Sequence, residues 1–308
     1  MQSRLKPSQN FNAKPFLKWA GGKRQLVNEI KKKLPVNFKE SKEDLIYYEP
    51  FLGGGSVFFY LKNHYKIKKS VISDINPELM LTYKCIQKKP EDLKIELKKM
   101  KKEYSDRATF ENKKDYYNSI RTIFNDNMSE INLNEKDIDV KRAAQTIFLN
   151  KTCFNGLFRV NKKGKFNVPM GKYKNPSIYD PDNIDEVHRV LNDNVIIKIQ
   201  DYQDIEKDVE KNSFVYLDPP YRPISKTSSF TDYYKNGFGE DDQINLCKFI
   251  QNLTKNEVNV MLSNSQTKDG FFEKYYAKLE RHQVKARRYI NSNPKKRNEI
   301  NELIITNY

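Results

Sequence analysis

Short runs of β-branched and aromatic residues that end at an aspartate recur along this chain. The runs VISD, NVIIKIQD and SFVYLD end at Asp74, Asp201 and Asp218. Residues 245–253 have helical periodicity and lie between SFVYLD and a further strand-like run at 258–265. The tail EINELIITNY predicts a late strand that pairs with LERHQVKARRY. Strands that alternate with helices in this way predict an α/β fold with a doubly wound sheet.

One long region interrupts the alternation of strands and helices. Residues 89–150 are charged and helix-like, whereas residues 151–180 contain several glycines, prolines and aromatic residues. We therefore predict an inserted lobe at 85–190. The remaining segments, 1–84 and 191–308, then form the sheet-containing domain.

Composition limits the class of partner and the chemistry. The chain has 308 residues, a formal net charge of +16 and a pI of about 9.4, which suits a polyanionic partner and is equally compatible with a merely soluble basic surface. Cys85, Cys153 and Cys247 form no CxxC pair, and none of the three histidines has metal-ligand spacing, so we expect a reducing cytoplasm and no metal. The N-terminus lacks an apolar signal region, and no apolar run reaches the roughly 18 residues that a membrane span needs.

The stretch EPFLGGGSV predicts a strand, a glycine loop and then a helix. Asp74 follows Gly55 by 19 residues, at the end of the next strand. In open α/β sheets ligands bind at the carboxyl ends of strands, and an acidic residue about 20 residues after the glycines can hold ribose hydroxyls. No Lys-Ser or Lys-Thr pair follows the glycines, which excludes a P-loop. The pattern favours a nucleoside-containing cofactor such as S-adenosylmethionine, although a glycine triplet alone is also compatible with a plain turn.

The tetrapeptide DPPY, residues 218–221, predicts a site for an amino group. Pro219 and Pro220 have no N–H, so the backbone there presents only carbonyl acceptors beside the Asp218 carboxylate. Such a site can hold both hydrogens of an exocyclic amine, and Tyr221 adds a flat face for the nucleobase ring. The amine lone pair would then point at a methyl sulfonium, whose positioning supplies much of the catalysis. The alternative interpretation is an aspartate that caps a turn stiffened by prolines.

These stretches together resemble the Dam-type DNA adenine-N6 methyltransferases, a D12-class group with its motifs in the α order. FLKWAGGKRQL resembles the N-terminal cofactor motif of that family, YYEPFLGGGSVFF its glycine-rich motif, SDINPEL the ribose-carboxylate motif and VYLDPPY the catalytic motif. NKTCFNGLFRVNKKGKFNVPMGKYKNP resembles the DNA-reading hairpin of the GATC-methylating members. The resemblance covers about residues 15–308 and depends on the order of the motifs, since DPPY alone is not specific.

The resemblance implies a bacterial, cytoplasmic enzyme with a Rossmann-like methyltransferase sheet and a mainly helical DNA-recognition lobe at 85–190. It would act as a monomer on double-stranded DNA, with a restriction endonuclease of the same specificity as a possible partner. It would transfer a methyl group from S-adenosylmethionine to adenine N6, after the base has been flipped out of the duplex.

The resemblance also assigns roles to residues around the cofactor and the target base. The implied catalytic residues are Asp218, Pro219, Pro220 and Tyr221. Asp201 matches the position that holds the adenine amine of the cofactor, Tyr202 would flank that ring, and the glycines would let the backbone approach the cofactor. The implied cofactor-binding residues are Trp19, Ala20, Gly21, Lys23, Pro50, Phe51, Gly53, Gly54, Gly55, Asp74, Ile75, Asp201, Tyr202 and Asp218.

A second set would contact DNA. Lys18 matches a base-reading lysine, Phe154 matches an aromatic residue that inserts where the adenine leaves, and the later base pairs would be read by Leu157, Arg159 and Pro169. The full implied set is Lys18, Phe154, Asn155, Leu157, Arg159, Asn167, Pro169, Lys172 and Tyr173.

The chain departs from the family pattern in three places. Lys172 stands where many members have arginine, which weakens bidentate phosphate contact. Phe154 replaces a tyrosine found in some members, and residues 124–140 have no clear counterpart.

Three alternatives remain open at this point. The acceptor could be an RNA adenine or another amine, and the DNA site could be a longer palindrome that contains GAT. A non-catalytic DNA-binding descendant is the third, but Asp218 and the glycine loop are both intact.

Overall fold

The computed structural model describes residues 11–23, 25–39, 45–128, 130–222, 238–287 and 299–308. Residues 1–10 of the first predicted segment, Arg24 of FLKWAGGKRQL, Ser129 of the segment 124–140 and the end of LERHQVKARRY lie outside the described residues. The strands are β1 (Ile46–Glu49), β2 (Lys69–Asp74), β3 (Val195–Ile199), β4 (Phe214–Leu217), β5 (Asn259–Ser265), β6 (Glu280–Arg287) and β7 (Glu299–Thr306). The helices are α1 (Val27–Lys33), α2 (Val36–Lys39), α3 (Ser56–His64), α4 (Pro77–Lys88), α5 (Pro90–Ser105), α6 (Phe110–Asp126), α7 (Val140–Thr152), α8 (Pro181–Leu191), α9 (Glu240–Lys255) and α10 (Phe271–Tyr275).

The described strands form one seven-stranded sheet in the order β3-β2-β1-β4-β5-β7-β6. The first five strands of that order run parallel. β7 lies antiparallel between β5 and β6, which confirms the predicted pairing of the two C-terminal runs. The α/β fold is therefore confirmed, and every strand-like run that ends at an aspartate belongs to the parallel part of the sheet.

Apolar layers cover both faces of the sheet. Consecutive residues of a strand point to opposite faces, and Tyr47 and Tyr48 of β1 accordingly join different core clusters. The cluster that contains Tyr47 also contains residues of α3 to α8. The cluster that contains Tyr48 includes residues of α9 and α10. Helices thus cover both faces, as a doubly wound sheet requires.

The inserted region consists mainly of helices α5, α6 and α7. The predicted boundaries, 84/85 and 190/191, fall inside α4 and α8. α4 packs on β2 and β3 and also on α5, α7 and α8, so the sheet and the inserted region share one apolar core. The division into domains stays a prediction.

Four of the described helices begin at a side chain that accepts a hydrogen bond from the first turn. These side chains are Asn76 before α4, Thr109 before α6, Asp139 before α7 and Asp180 before α8. Such caps satisfy backbone N–H groups that have no partner inside the helix. The segment that resembles a DNA-reading hairpin begins in the last turn of α7 and ends shortly before Asp180, which caps α8.

That segment, 150–176, folds back on itself with little regular strand. Two isolated antiparallel bridges join its arms, Cys153 to Met170 and Val160 to Phe166. The side chain of Asn125 on α6 holds one arm, since its Oδ1 accepts from Phe166 N at 2.7 Å and its Nδ2 donates to Phe166 O at 3.0 Å. The predicted hairpin is therefore an irregular one, supported by the end of α6.

The segment 124–140, which has no clear counterpart in the family pattern, spans the end of α6, the start of α7 and, in its described residues, the connection between these helices. Ile131, Leu133 and Ile138 pack against the core. Arg142 of α7 donates to the carbonyl of Asn127 at 2.8 Å and so ties the start of the connection to the helix that follows it. No helix in the described ranges is long and apolar enough to cross a membrane.

A buried ion pair joins the inserted helices to α4. Arg142 Nε donates to both carboxylate oxygens of Glu78, at 3.0 and 2.9 Å, and a second guanidinium nitrogen also contacts this carboxylate. The guanidinium further donates to the carbonyl of Phe124 at 3.1 Å and lies over its ring. Burial raises the pKa of Glu78, and the Arg142 cation opposes that rise.

We expect Arg142→Ala to lower the free energy of unfolding by about 3–5 kcal/mol, because it leaves a buried carboxylate without its partner. Urea denaturation measures the loss. Lys211→Ala is the matched control, since it breaks an exposed pair with Glu257 and should cost at most about 1 kcal/mol. Losses of equal size in the two variants would contradict a structural role for the buried pair.

Candidate active site

Three carboxylates lie at the carboxyl edge of neighbouring strands. β2, β1 and β4 are adjacent and parallel, and they end at or next to Asp74, Glu49 and Asp218. Parallel strands bring their carboxyl ends to one edge of the sheet, which is where open α/β sheets bind ligands. All three carboxyl groups are largely shielded from water, so their charges depend on nearby partners.

Lys23 is the charge partner of Asp218. Its Nζ lies 2.7 Å from Asp218 Oδ1, and the exposed fractions of the two side chains are 6% and 18%. The ammonium group also donates to the carbonyl of Gly21. Burial raises the pKa of Asp218 to about 6, and the Lys23 cation keeps it from rising further. Among the described residues no group donates to Asp218 Oδ2, so this oxygen can accept from a ligand.

Tyr221 is fixed at its hydroxyl and at its ring. The hydroxyl donates to Glu302 Oε2 of β7 at 2.9 Å. Lys23 Nζ lies 4.6 Å from the ring centroid. Burial and the neighbouring carboxylates raise the pKa of Tyr221 well above its ordinary value, so the phenol stays protonated. The aromatic ring is therefore held beside Asp218, as the sequence predicts.

The two prolines differ in what their carbonyls do. Pro220 O accepts from Gln243 Nε2 at 3.0 Å, and Gln243 Oε1 in turn accepts from Asn264 Nδ2 at 3.1 Å. Asn264 Oδ1 accepts from the backbone N–H of Arg222 at 3.0 Å. Gln243 takes one of the two hydrogen bonds that the Pro220 carbonyl can accept, and the expectation that both proline carbonyls face an amine stays a prediction. The buried Pro219 has no hydrogen-bond donor to its carbonyl within the described ranges.

Asp74 holds the glycine loop in place. Its Oδ2 accepts from Gly53 N at 3.0 Å and its Oδ1 accepts from Asn76 N at 3.0 Å. Burial raises the pKa of Asp74 to about 6, and these backbone N–H groups oppose the rise. Each carboxylate oxygen can accept a second hydrogen bond, so the predicted contact with ribose hydroxyls remains compatible with this geometry.

The glycines make room for the side chains of the protein itself. A Cβ at Gly53 would lie 2.9 Å from the Trp19 ring, and one at Gly54 would lie 3.2 Å from Trp19 Cβ. A Cβ at Gly55 would lie 2.7 Å from the Tyr83 hydroxyl. Gly53 and Gly55 also have φ of 50° and 67°, the left-handed region that favours glycine. The loop therefore packs on Trp19, a reason that the sequence pattern did not supply; approach to a cofactor stays a prediction.

An aromatic pair lies near the predicted adenine-binding position. Phe51 and Tyr202 stack with ring centroids 5.1 Å apart. Asp201 is exposed and accepts from Gln203 N at 3.0 Å, so its carboxylate caps the turn that carries Tyr202. The remaining predicted cofactor residues form the surroundings: Ala20 is half-buried, Gly21 exposed, Pro50 buried and Ile75 exposed.

The predicted DNA-contacting residues lie on the irregular hairpin and on the N-terminal segment. Lys18 Nζ lies 4.2 Å from the Tyr173 ring centroid. The Phe154 side chain is 52% exposed, and its backbone N–H donates to Pro169 O at 2.8 Å. Asn155 takes φ of 55° in the turn. Leu157 is half-buried and Lys172 is exposed.

Arg159 and Asn167 form a pair. Arg159 Nε donates to Asn167 Oδ1 at 2.8 Å across the hairpin. The guanidinium is exposed, and its two remaining nitrogens can donate to other groups. Asn167 therefore orients Arg159, a relation that the predicted list of contacts did not contain.

Several residues of the site carried no signal in the sequence. Glu302 and Gln243 contact Tyr221 and Pro220 from distant parts of the chain, and no local pattern indicates such contacts. Glu49 could have been found, because it ends β1 as the aspartates end β2 and β4. Its carboxylate accepts from the Tyr47 hydroxyl at 2.6 Å, and burial raises its pKa to about 8.

The fold is that of an α/β protein with buried carboxylates at the carboxyl edge of its sheet, and comparisons with known proteins identify its family. The model of the D12 class N6 adenine-specific DNA methyltransferases matches residues 19–290. The chain is 48% identical over 299 residues to the type II methyltransferase M.MjaIII of Methanocaldococcus jannaschii, which covers 97% of this chain and 100% of that protein.

Two further relatives match nearly end to end. The type II methyltransferase M1.LlaDCHI of Lactococcus lactis is 38% identical, over 97% of this chain and 96% of its own length. A DNA adenine methylase of Vibrio cholerae is 34% identical, over 94% of each chain. The chain belongs to the D12 class N6 adenine-specific DNA methyltransferases. It is therefore an adenine-specific DNA methyltransferase, and its sheet is the Rossmann-like sheet of such enzymes.

We expect the acid limb of the kcat/KM profile for methyl transfer to have its midpoint near pH 6, because the role predicted for Asp218 beside an amine that gains positive charge requires the ionised carboxylate. Lys23→Met should move this midpoint to higher pH, since loss of the cation favours the neutral carboxyl group. Lys14→Met removes an exposed lysine of the same segment and should leave the midpoint in place. An unchanged midpoint in Lys23→Met would contradict the control of Asp218 by Lys23.

Proposed function

We propose that this enzyme transfers a methyl group from S-adenosylmethionine to adenine N6 in double-stranded DNA, at GATC, after the base has left the duplex. The observation that carries the proposal is the Asp218–Lys23 pair beside the Tyr221 ring at the carboxyl edge of the sheet. This arrangement provides a carboxylate acceptor, a flat stacking surface and a fixed charge within one small site.

The same edge has the chemistry to hold the proposed cofactor. The buried Asp74 carboxylate suits a molecule that carries ribose hydroxyls, and the half-buried ring of Phe51, which stacks on Tyr202, suits an adenine ring. Trp19 fills the space above Gly53 and shapes the entrance beside these groups. When bound, S-adenosylmethionine supplies an electrophilic methyl group.

Asp218 and Pro219 would orient the amine of the target base. Lys23 occupies Asp218 Oδ1, so Oδ2 can accept one N–H of the amine, while the Pro219 carbonyl can accept the other. The lone pair of N6 then points away from both acceptors. The Asp218 carboxylate also stabilises the positive charge that develops on N6 as it is methylated. Tyr221 stacks on the ring, and its bond to Glu302 keeps it in place.

Phe154 would fill the space that the adenine leaves. A base in duplex DNA cannot reach a cleft at the sheet edge while it is stacked, so it must be flipped out. Phe154 is a large apolar side chain with half of its surface exposed, on a turn whose backbone is fixed by Pro169. Insertion of such a side chain offsets part of the cost of unstacking, which is a few kcal/mol.

The DNA site and the biological role are inferred from sequence resemblance. GATC follows from the resemblance of residues 150–176 to the hairpin of the GATC-methylating members. The chain matches relatives named type II methyltransferases and relatives named DNA adenine methylases, so we propose a restriction-modification or a Dam-like role. We also propose that it acts as a monomer in the cytoplasm.

Methylation mapping tests the proposed function. We expect expression in a host without adenine methylation to give N6-methyladenine confined to GATC, and Asp218→Ala to give none while the purified variant still binds duplex DNA. Marks at a longer palindrome that contains GAT would replace the proposed site. Absence of marks with a folded protein that binds S-adenosylmethionine would contradict the DNA proposal and favour RNA or another amine.

Arg159→Ala should relax discrimination at one base pair of the site by about 1–3 kcal/mol, because its free guanidinium nitrogens can read guanine acceptors. Competition between duplexes with single base-pair changes measures this. Lys163→Ala is the matched control. This exposed lysine of the same hairpin should contact phosphate, so its loss should weaken binding to all duplexes equally. Unchanged discrimination in Arg159→Ala would contradict its role as a base reader.

A further inference from the structure

Asn150 lies at the junction of the two parts of the proposed DNA interface. It belongs to the last turn of α7 and is 1% exposed. Its Oδ1 accepts from the backbone N–H of Lys18 at 2.9 Å, and its Nδ2 donates to the carbonyl of Lys18 at 2.7 Å. The same Nδ2 donates to the carbonyl of Gly156 at 3.0 Å. One buried amide therefore holds both the N-terminal segment and the Phe154–Gly156 turn.

The backbone of Gly156 is in close contact with the aliphatic stem of the Lys18 side chain. A Cβ at Gly156 would lie 2.5 Å from both Cβ and Cδ of Lys18, and Gly156 has φ of 64°. Only glycine fits this position, because the stem of Lys18 runs directly over it. The stem then leads to an ammonium group above the Tyr173 ring. The position of the Lys18 side chain thus depends on the turn that carries Phe154.

We propose that Asn150 is a positioning residue that keeps Lys18 in register with the Phe154 turn, so that sequence reading by the lysine is coupled to the place where the base leaves the duplex. The inference rests on the proposed function, since it assigns a support to residues proposed to read and open DNA. Asn150 is not itself a DNA contact, because its buried amide is engaged by three protein groups.

The chain contains a matched amide that lacks this relation to the turn. Asn183 of α8 holds Lys14 in the same way, since its Oδ1 accepts from Lys14 N at 2.9 Å and its Nδ2 donates to Lys14 O at 3.0 Å. Lys14 belongs to the same N-terminal segment but lies four residues before Lys18. Loss of the Asn183 amide therefore tests the effect of loosening the segment without the contact to Gly156.

The experiment measures methyl transfer to the recognised duplex and to duplexes with each base pair replaced in turn. The proteins are the full chain, Asn150→Asp, Asn183→Asp, Lys18→Ala and the Asn150→Asp/Lys18→Ala double variant. Asn150→Asp keeps the volume and the acceptor for Lys18 N, but it removes two donated bonds and places a charge beside two carbonyls. Thermal unfolding of each variant checks that it folds.

We expect Asn150→Asp to lower discrimination about tenfold, within the range for one base contact, and at the same base pair as Lys18→Ala. The double variant should lose no more discrimination than Lys18→Ala alone, because the effects of two substitutions that act through one contact are not additive. Asn183→Asp should retain the discrimination of the unaltered chain. Gly156→Ala disturbs the same contact through a clash with the Lys18 stem and should lower discrimination at the same base pair. This variant replaces Asn150→Asp if the latter fails to fold.

Three outcomes would overturn the inference. Discrimination could be unchanged in Asn150→Asp, or it could fall as much in Asn183→Asp as in Asn150→Asp. In the double variant, the losses of discrimination from Asn150→Asp and Lys18→Ala could be additive. An unaltered chain that methylates no adenine in any duplex would instead overturn the proposed function and, with it, the assignment of Asn150. The behaviour of the unaltered chain therefore separates the two failures.

Discussion

The arrangement of the active site follows from one constraint: three acidic side chains are buried at the edge of an apolar sheet, and each needs a polar partner there. Asp74, Glu49 and Asp218 end adjacent strands, and burial raises the pKa of each. Each is retained by a different partner: backbone N–H groups for Asp74, a tyrosine hydroxyl for Glu49 and Lys23 for Asp218. Buried carboxyl groups, charged or neutral, require such hydrogen-bonding partners, so the glycine loop, the DPPY turn and the N-terminal segment are arranged around these side chains.

The N-terminal segment shows how backbone without regular structure can still be placed accurately. Residues 11–23 contain no helix or strand, yet polar side chains of other elements hold their peptide groups. Asn63, Asn183 and Asn150 bind the backbones of Ala13, Lys14 and Lys18 in turn. Lys23 then reaches Asp218. The segment therefore links the inserted helices to the catalytic edge of the sheet.

The sequence indicated the fold and the principal site groups because the relevant signals are local. A strand that ends at an aspartate, a glycine loop before a helix and a proline after an N-cap can each be recognised within about ten residues. The contacts that position these groups are between distant residues: Glu302 with Tyr221, Gln243 with Pro220, and Trp19 with Gly53. Asn150 has no local signal at all, since a buried asparagine near the end of a helix looks like any polar residue until its partners are known. The segment 150–176 was predicted to be a hairpin from its resemblance to that of the GATC-methylating enzymes. Asn125 of α6 holds one of its arms, a contact that only the three-dimensional structure shows.

The position of β7 has a consequence for synthesis of the protein. This strand is the last of the described strands in chain order, yet it lies inside the sheet between β5 and β6. It carries Glu302, which holds Tyr221. A ribosome releases the chain from its N-terminus onward, so β1 to β5 can pair before β7 has emerged. Lys23, Gln243 and Asn264 can hold the DPPY turn before then, but the tyrosine that would support the target base acquires its Glu302 anchor only after β7 is inserted.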